Sequence, residues 1–111
     1  MLNFWFIGCS PCIKDIPELN ELVEDFEPKG VHFVAIGLDK AVKTRNFLDT
    51  KMPFNYRLLP NGGRVSQSYG VNSYPTHLLI DRSGKVIFSQ QGYFPGLKHA
   101  LKKYLLEVSE E

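Results

Sequence analysis

Two cysteines separated by two residues are the strongest chemical signal in this sequence. Cys9 and Cys12 are its only cysteines, and they lie in the segment FWFIGCSPCIKDIPEL, residues 4–19. Thiols at this spacing can form a structural disulfide, supply half of a metal site or act as a redox couple. A structural disulfide closing so short a loop would constrain little of the unfolded chain, so a purely structural role is unfavourable.

A metal site is also poorly supported. A zinc site needs four ligands, and a single C-x-x-C pair supplies two of them. His32, His77 and His99 could add ligands, but none of them stands in a paired ligand spacing. His32 and His77 lie in apolar segments typical of strands and are expected to be core or edge residues. The sequence therefore favours a redox couple that needs neither a metal nor an organic cofactor.

The surroundings of the cysteines predict a strand followed by a helix. Leu2 to Ile7 is short, apolar and rich in aromatic residues, which is typical of a buried strand. Ser10 is the expected N-cap and Pro11 suits the first turn of a helix. A helix N-terminus stabilises a thiolate, so we expect Cys9 to be the nucleophile and the more exposed of the two thiols. Cys12, one turn inside, is placed to resolve a mixed disulfide formed on Cys9.

The remainder of the chain predicts a single α/β domain over residues 1–111 with three layers, α/β/α. The helix that begins near Ser10 runs to about Glu27, where Pro28 and Gly30 end it. The later predicted elements are a strand (31–38), a helix (39–51), an extended segment (52–61), a brief helix (65–69), two antiparallel strands (76–81 and 85–90) and a final helix from residue 97.

Charge and hydropathy exclude several classes of function. Thirteen Lys and Arg residues balance twelve Asp and Glu residues, and no basic stripe is present, so binding to nucleic acid or to a membrane surface is not expected. The apolar runs are too short to span a bilayer, and neither a signal peptide nor a membrane anchor is visible. Because the sequence begins almost directly on the first predicted strand, the lack of a visible signal peptide does not indicate in which compartment the protein lies.

Two segments resemble the TlpA/ResA-like branch of the thioredoxin superfamily, which is related to AhpC/TSA proteins. They are LNFWFIGCSPC followed by KDIPEL, and YGVNSYPTHLLIDRSGKVI. The resemblance covers nearly the whole chain and implies a thioredoxin fold with a central mixed sheet and a thiol–disulfide oxidoreductase activity. It also implies disulfide-containing client proteins, an upstream thiol electron donor and a periplasmic or other extracytoplasmic location. We expect the protein to be a monomer.

The resemblance assigns roles to individual residues. Pro75 matches a cis proline that faces the active-site disulfide and exposes the backbone of Tyr74 to an extended substrate peptide. Asp15 falls three residues after Cys12 on the same helix face, and it matches an acidic residue implicated in proton handling. Ser10 and Pro11 tune the couple, and a proline in this dipeptide is shared by reducing members of the superfamily.

Three features depart from the family pattern. Gly8 stands where relatives usually carry a tryptophan that faces the substrate, and Trp5 and Tyr74 are the candidates to replace it. The N-terminal β-hairpin of the family is missing from this sequence. The segment between Cys12 and Pro75 is longer than in thioredoxin, which fits the central insertion of the TlpA-like branch.

Two other functions remain open on the sequence. A peroxiredoxin-like thiol peroxidase would share the fold, but the Pro-and-Thr pattern expected before a peroxidatic cysteine is absent. A copper-handling or partner-binding module without turnover would also keep the fold. Copper-delivery relatives generally space their cysteines further apart and add a downstream histidine, which argues against this alternative.

Overall fold

The strands and helices follow the predicted order, with one strand added. The computed structural model describes residues 1–110, and within them the chain forms five strands and four α-helices. The added strand, β3, has three residues and lies at an edge of the sheet, inside the segment predicted only as extended. The elements are β1 (Leu2–Trp5), α1 (Ser10–Phe26) with a 3-10 turn (Glu27–Lys29), β2 (Val34–Gly37), α2 (Ala41–Thr50), β3 (Arg57–Leu59), α3 (Gly63–Ser68), β4 (Thr76–Ile80), β5 (Val86–Gln91) and α4 (Leu97–Ser109).

The strands form one mixed sheet in the order β3-β2-β1-β4-β5, which confirms the predicted sheet type. β1 is the central strand and pairs in parallel with β2, which in turn pairs in parallel with β3. On its other side β1 pairs with β4 in the antiparallel sense, and β4 continues into an antiparallel pair with β5. The carboxyl ends of β1 and β2 therefore meet at one edge of the sheet, which is where loops of α/β proteins usually carry function.

Alternation along the strands divides the core into two layers. On one face of the sheet, Trp5 of β1 and Leu79 of β4 pack with buried residues of α1, α2 and α4. On the other face, Phe4 and Leu78 form a smaller cluster against which Val65 of α3 packs. Successive side chains of a strand point to opposite faces, so the sheet is covered on both sides. This gives the predicted three-layer α/β/α architecture.

The two longest helices, α1 and α4, are amphipathic and each buries one face. Along α1 the buried positions include Ile16, Leu19 and Phe26, each 1% exposed, while Glu21 and Glu24 are exposed. The predicted spacing of apolar residues in this helix is therefore confirmed. Across residues 1–110, none of the helices combines the length and the apolar character needed to cross a membrane.

The turn between β4 and β5 forms as predicted. The Asp81 side chain accepts hydrogen bonds from the backbone N–H groups of Ser83 and Lys85, at 2.9 and 3.0 Å. The hydrogen bond from the Ser83 hydroxyl, together with these two backbone hydrogen bonds, lowers the pKa of the Asp81 carboxyl. Gly84 has a φ of 89°, the left-handed conformation that glycine adopts without a steric penalty.

A glycine fixes the approach of α3 to the end of β2. The backbone N–H of Gly62 donates a hydrogen bond to the Gly37 carbonyl at 2.8 Å. A Cβ atom at position 62 would lie 2.3 Å from the Cγ2 atom of Ile36, which is buried in the second core layer. No side chain fits here without displacing either the loop or Ile36.

We therefore expect Gly62→Ala to lower the free energy of unfolding by about 1–3 kcal/mol, the usual cost of overpacking. Urea unfolding followed by circular dichroism measures this. Gly63→Ala is the matched control, because the space around a Cβ at position 63 is open. Equal stability of the two variants would show that the contact with Ile36 relaxes without cost.

Candidate active site

Cys9 and Cys12 are joined by a disulfide at the N-terminus of α1. Cys9 is the N-cap, and its Sγ atom accepts a hydrogen bond from the backbone N–H of Cys12 at 3.2 Å. The expectation that Ser10 is the N-cap is wrong by one position, because the Cys9 sulfur satisfies the helix N–H group. Pro11 lies in the first turn as predicted. The Cys9 sulfur therefore lies at the positive end of the helix dipole.

The disulfide is nearly enclosed, and the residues beside it are exposed. Cys9 is 5% exposed and Cys12 is 3% exposed, so the predicted difference in their accessibility is small. Gly8, Ser10 and Pro11 are all exposed. They are accessible to a partner, as their predicted substrate-binding role requires.

The loop before Cys9 is held by a residue that sequence reasoning missed. The Asp39 carboxylate, which follows β2, accepts a hydrogen bond from the backbone N–H of Ile7 at 2.7 Å. The backbone N–H of Cys9 also donates to the Phe6 carbonyl at 3.1 Å. The signal was present in the sequence: an aspartate directly after a buried strand lies at the same sheet edge as the end of the neighbouring parallel strand.

The cis-proline loop lies beside this segment. The Tyr74–Pro75 peptide bond is cis, as predicted, and the Pro75 carbonyl accepts a hydrogen bond from the N–H of Gly92 at 2.7 Å. The Tyr74 ring contacts the ring of Phe6 edge to face at 5.6 Å, and its hydroxyl is 2.6 Å from that of Ser66. Because Phe6 belongs to the loop that leads into α1, this contact joins the two loops.

Trp5 does not replace the missing tryptophan at position 8. Its side chain is 2% exposed and packs in the core against Phe54 and Phe47, with ring centroids 5.3 and 5.7 Å apart. The alternation of β1 turns Trp5 toward the helices and away from the surface. The ring that adjoins position 8 is that of Phe6, whose carbon atoms lie 3.6 and 3.7 Å from the place of a Cβ on Gly8.

Asp15 lies on the inner face of α1, as does Cys12, and it has a partner that the sequence did not reveal. Its Oδ2 atom is 3.0 Å from Nε2 of His77, and Nδ1 of His77 is 3.0 Å from Nδ2 of Asn3. Asp15, His77 and Asn3 are 2%, 0% and 2% exposed. His77 is thus a core residue, as expected, but its contact with Asp15 was missed. The available signal was a polar residue within each of two apolar strands, because buried polar groups need partners.

The arrangement brings together the groups that thiol–disulfide exchange uses: two sulfur atoms at a helix N-terminus and a buried carboxylate on the same helix face. Within residues 1–110, no group of three or more His, Cys, Asp or Glu side chains is arranged to hold a metal ion.

The family model described as the AhpC/TSA family matches residues 1–89, which is most of the chain. The chain belongs to the AhpC/TSA family. The predicted resemblance to this family and to its ResA-like branch is therefore confirmed, as the following relatives also show.

Among curated relatives, the thiol-disulfide oxidoreductase ResA of Bacillus thuringiensis subsp. konkukian is 37% identical over 112 residues, covering 97% of this chain and 62% of that protein. This chain thus spans about three fifths of the length of that relative. A solved structure of a candidate thiol:disulfide interchange protein DsbE from Chlorobium tepidum is 34% identical, with a TM-score of 0.88, and the match covers 97% of this chain and 77% of that one. The exposed lipoprotein thioredoxin of Streptococcus pneumoniae is 25% identical, with a TM-score of 0.75, over 96% of this chain and 82% of that one. This AhpC/TSA family member has the thioredoxin fold.

A buried tyrosine lies within the range of the Asp15 charge. Tyr56 is 4% exposed and packs against Phe54 and Phe33, with ring centroids 4.8 and 5.2 Å apart. Burial raises the pKa of Tyr56 far above its ordinary value, and the negative charge of Asp15 raises this pKa further. Tyr56 therefore stays un-ionised in the folded protein where an exposed tyrosine ionises.

Because folding raises the pKa of Tyr56, this residue makes the free energy of unfolding depend on pH. Its contribution is fully present below the ordinary tyrosine pKa of about 10 and is lost as the pH rises above that value. We therefore expect Tyr56→Phe to lose less stability than the wild type between about pH 9 and about pH 11. Urea unfolding across this range measures the difference. The variant Tyr69→Phe changes an exposed ring and should follow the wild type. Parallel pH curves for Tyr56→Phe and the wild type would contradict this assignment.

Proposed function

We propose that this chain is a thiol–disulfide oxidoreductase that reduces disulfides of client proteins. The observation that carries the proposal is the Cys9–Cys12 disulfide at the N-terminus of α1, bordered by exposed residues. The name of the ResA relative and that of the Chlorobium tepidum structure support the same activity. Because the chain spans only part of the ResA protein, the activity is proposed for this chain on the strength of its own site.

The proposed reaction begins with the reduced pair. The Cys9 thiolate attacks one sulfur of a client disulfide; a Cys9–client disulfide forms and the other client sulfur leaves as a thiolate that takes up a proton. Cys12 then loses its proton and attacks the Cys9 sulfur. The client leaves with its second sulfur reduced, and the Cys9–Cys12 disulfide forms. Two electrons have moved to the client, and an upstream dithiol donor returns two electrons to restore the reduced pair.

Asp15 is proposed to accept the proton of Cys12 in the second step. Side chains three positions apart on a helix are neighbours, and both residues are buried on the inner face of α1. A carboxylate in this position acts as a general base when the thiol is deprotonated for attack. Without such a group the proton would have to leave a site that water barely reaches.

The residues around the sulfur pair are proposed to bind the client. Gly8, Ser10 and Pro11 offer an exposed surface next to Cys9. The backbone beside the cis bond, at Tyr74 and Pro75, is proposed to pair with an extended segment of the client as an added strand. Pro11 within the dipeptide supports reduction as the direction of the reaction.

The compartment and the partners belong to the same proposal. An extracytoplasmic location is supported by the name of the exposed lipoprotein thioredoxin from Streptococcus pneumoniae, to which this chain is similar. The proposed partners are disulfide-containing client proteins and a thiol electron donor, and the proposed oligomeric state is a monomer.

The function predicts that Cys12→Ser accumulates a mixed disulfide through Cys9. Without the resolving thiol the first step proceeds and the second does not, so the covalent adduct persists. The reduced variant is incubated with insulin as a defined disulfide substrate, and the adduct is identified by non-reducing mass spectrometry. Peptide mapping then assigns the cross-linked cysteine.

The controls are Cys9→Ser and the double variant, neither of which should form the adduct. A Cys12→Ser protein that stays adduct-free although it is folded would contradict the proposed function. If the same protein instead consumed hydrogen peroxide through a sulfenic acid on Cys9, a thiol peroxidase would be the function.

Asp15→Asn is expected to slow the attack of Cys12 by about 100-fold at neutral pH, the lower end of what a general base contributes. The amide keeps the shape of the carboxylate but accepts no proton. Stopped-flow release of product from a preformed Cys9 mixed disulfide measures this step. Asp25→Asn, an exposed aspartate on the same helix, is the matched control and should leave the rate unchanged. An equal rate for Asp15→Asn and the wild type across the pH range would remove Asp15 from the mechanism.

A further inference from the structure

Three polar side chains form a continuous hydrogen-bonded chain between the sheet and α1. Asn3 of β1 and His77 of β4 are directly opposite each other in the antiparallel register, and Asp15 reaches them from the helix. Both hydrogen bonds are 3.0 Å between heavy atoms, and each of the three residues is at most 2% exposed. The first step of the proposed reaction has no use for Asn3 or His77, so their burial needs a separate explanation.

The chemistry of the amide decides the direction of both hydrogen bonds. Nδ2 of Asn3 can only donate, so Nδ1 of His77 must accept and carries no proton. The ring is then neutral, with its proton on Nε2, and Nε2 donates to Oδ2 of Asp15. The Asp15 oxygen that faces the ring is therefore an acceptor without a proton. Asn3 fixes the tautomer of His77, and His77 in turn fixes the carboxylate.

Among the described residues, His77 is the hydrogen-bonding partner of the Asp15 side chain. Tyr56, whose pKa is raised by burial and also by the Asp15 charge, is a further titratable group within range of Asp15, and Cys12 lies on the same buried face of α1. From α4 the same core receives apolar side chains, those of Leu97, Leu101 and Leu105. A buried carboxylate that loses its partner is driven toward its neutral form, which accepts no further proton.

We propose that His77 and Asn3 are positioning residues for Asp15. They hold one carboxylate oxygen as an acceptor, so that the second oxygen takes the proton of Cys12 when Cys12 attacks the mixed disulfide. This inference rests on the proposed function. It names His77 and Asn3 as the residues that keep Asp15, the proposed general base, in its deprotonated state. His77 transfers no proton itself; its role is to donate one hydrogen bond and accept another.

Two substitutions of His77 separate this role from general packing. His77→Leu removes the donor, and we expect the pH–rate profile for the Cys12 step to move upward by about one pH unit or more, so that the step is about tenfold slower at any pH on the acid limb of the profile. His77→Gln keeps a donor for Asp15 and an acceptor for Asn3 but has no group that titrates. We expect its profile to stay close to that of the wild type.

The substitutions are also made together with Asp15→Asn, in which the general base is already absent. In that background His77→Leu should cause no further loss of rate, because His77 acts through Asp15. His99→Gln, an exposed histidine on α4, is the matched control. An unshifted profile for folded His77→Leu would overturn the inference, as would a folded His77→Gln protein that behaves like His77→Leu.

A measurement on the wild type keeps the inference testable if His77→Leu does not fold. Long-range proton–nitrogen NMR correlations of the His77 ring report which nitrogen carries the proton. We expect a neutral ring with the proton on Nε2 at neutral pH, and a proton on Nδ1 would overturn the inference. This result does not depend on turnover, so it is distinct from failure of Cys12→Ser to trap a client, which would contradict the proposed function instead.

Discussion

The packing of α1 over β1 and β4 determines where the reactive groups of this protein lie. Ile16 and Leu19 of the helix share one buried cluster with Trp5 of β1 and Leu79 of β4. Burial of each large aliphatic side chain contributes about 1.5–3 kcal/mol, so shifting or tilting the helix would expose several such contributions at once. The sulfur atoms sit at the first turn of this helix and are positioned by the same packing.

The pairing of β1 with β4 adds a second constraint to the same interface. A slip of one residue in this register would turn His77 to the opposite face of the sheet, away from Asp15. The loops at the reactive end depend on the same strands. Asp39 follows β2 and holds the loop after β1, while the cis-proline loop precedes β4 and is bound through Gly92 after β5. Hydrogen bonds and the ring contact between Phe6 and Tyr74 thus link these segments to the loop that leads into α1.

The sequence was sufficient for features that depend on neighbouring residues. The cysteine pair at a strand-to-helix boundary, the apolar face of α1 and the turn at Gly84 each depend on residues a few positions apart. The features that the sequence did not reveal depend on the register of strand pairing and on contacts between residues far apart in the chain. Asp15 and His77 are 62 positions apart, and only the pairing of the strands brings them together. The sequence did not show that Trp5 points into the core. All but one of its neighbours in the strand are apolar, so the alternation of side chains between the two faces of the sheet is hidden. β3 was missed because it has only three residues, two exposed and one half-buried, which are too few to form a recognisable pattern.

The proposed activity requires that Cys9 and Cys12 form a reversible redox couple, and a redox titration measures this. The full chain is equilibrated in glutathione buffers of defined potential, and the thiols are trapped and counted by mass spectrometry. We expect a single reversible two-electron transition, closer to the thioredoxin value of about −270 mV than to the oxidant value of about −120 mV. Absence of any reversible transition, with the protein still folded, would contradict it.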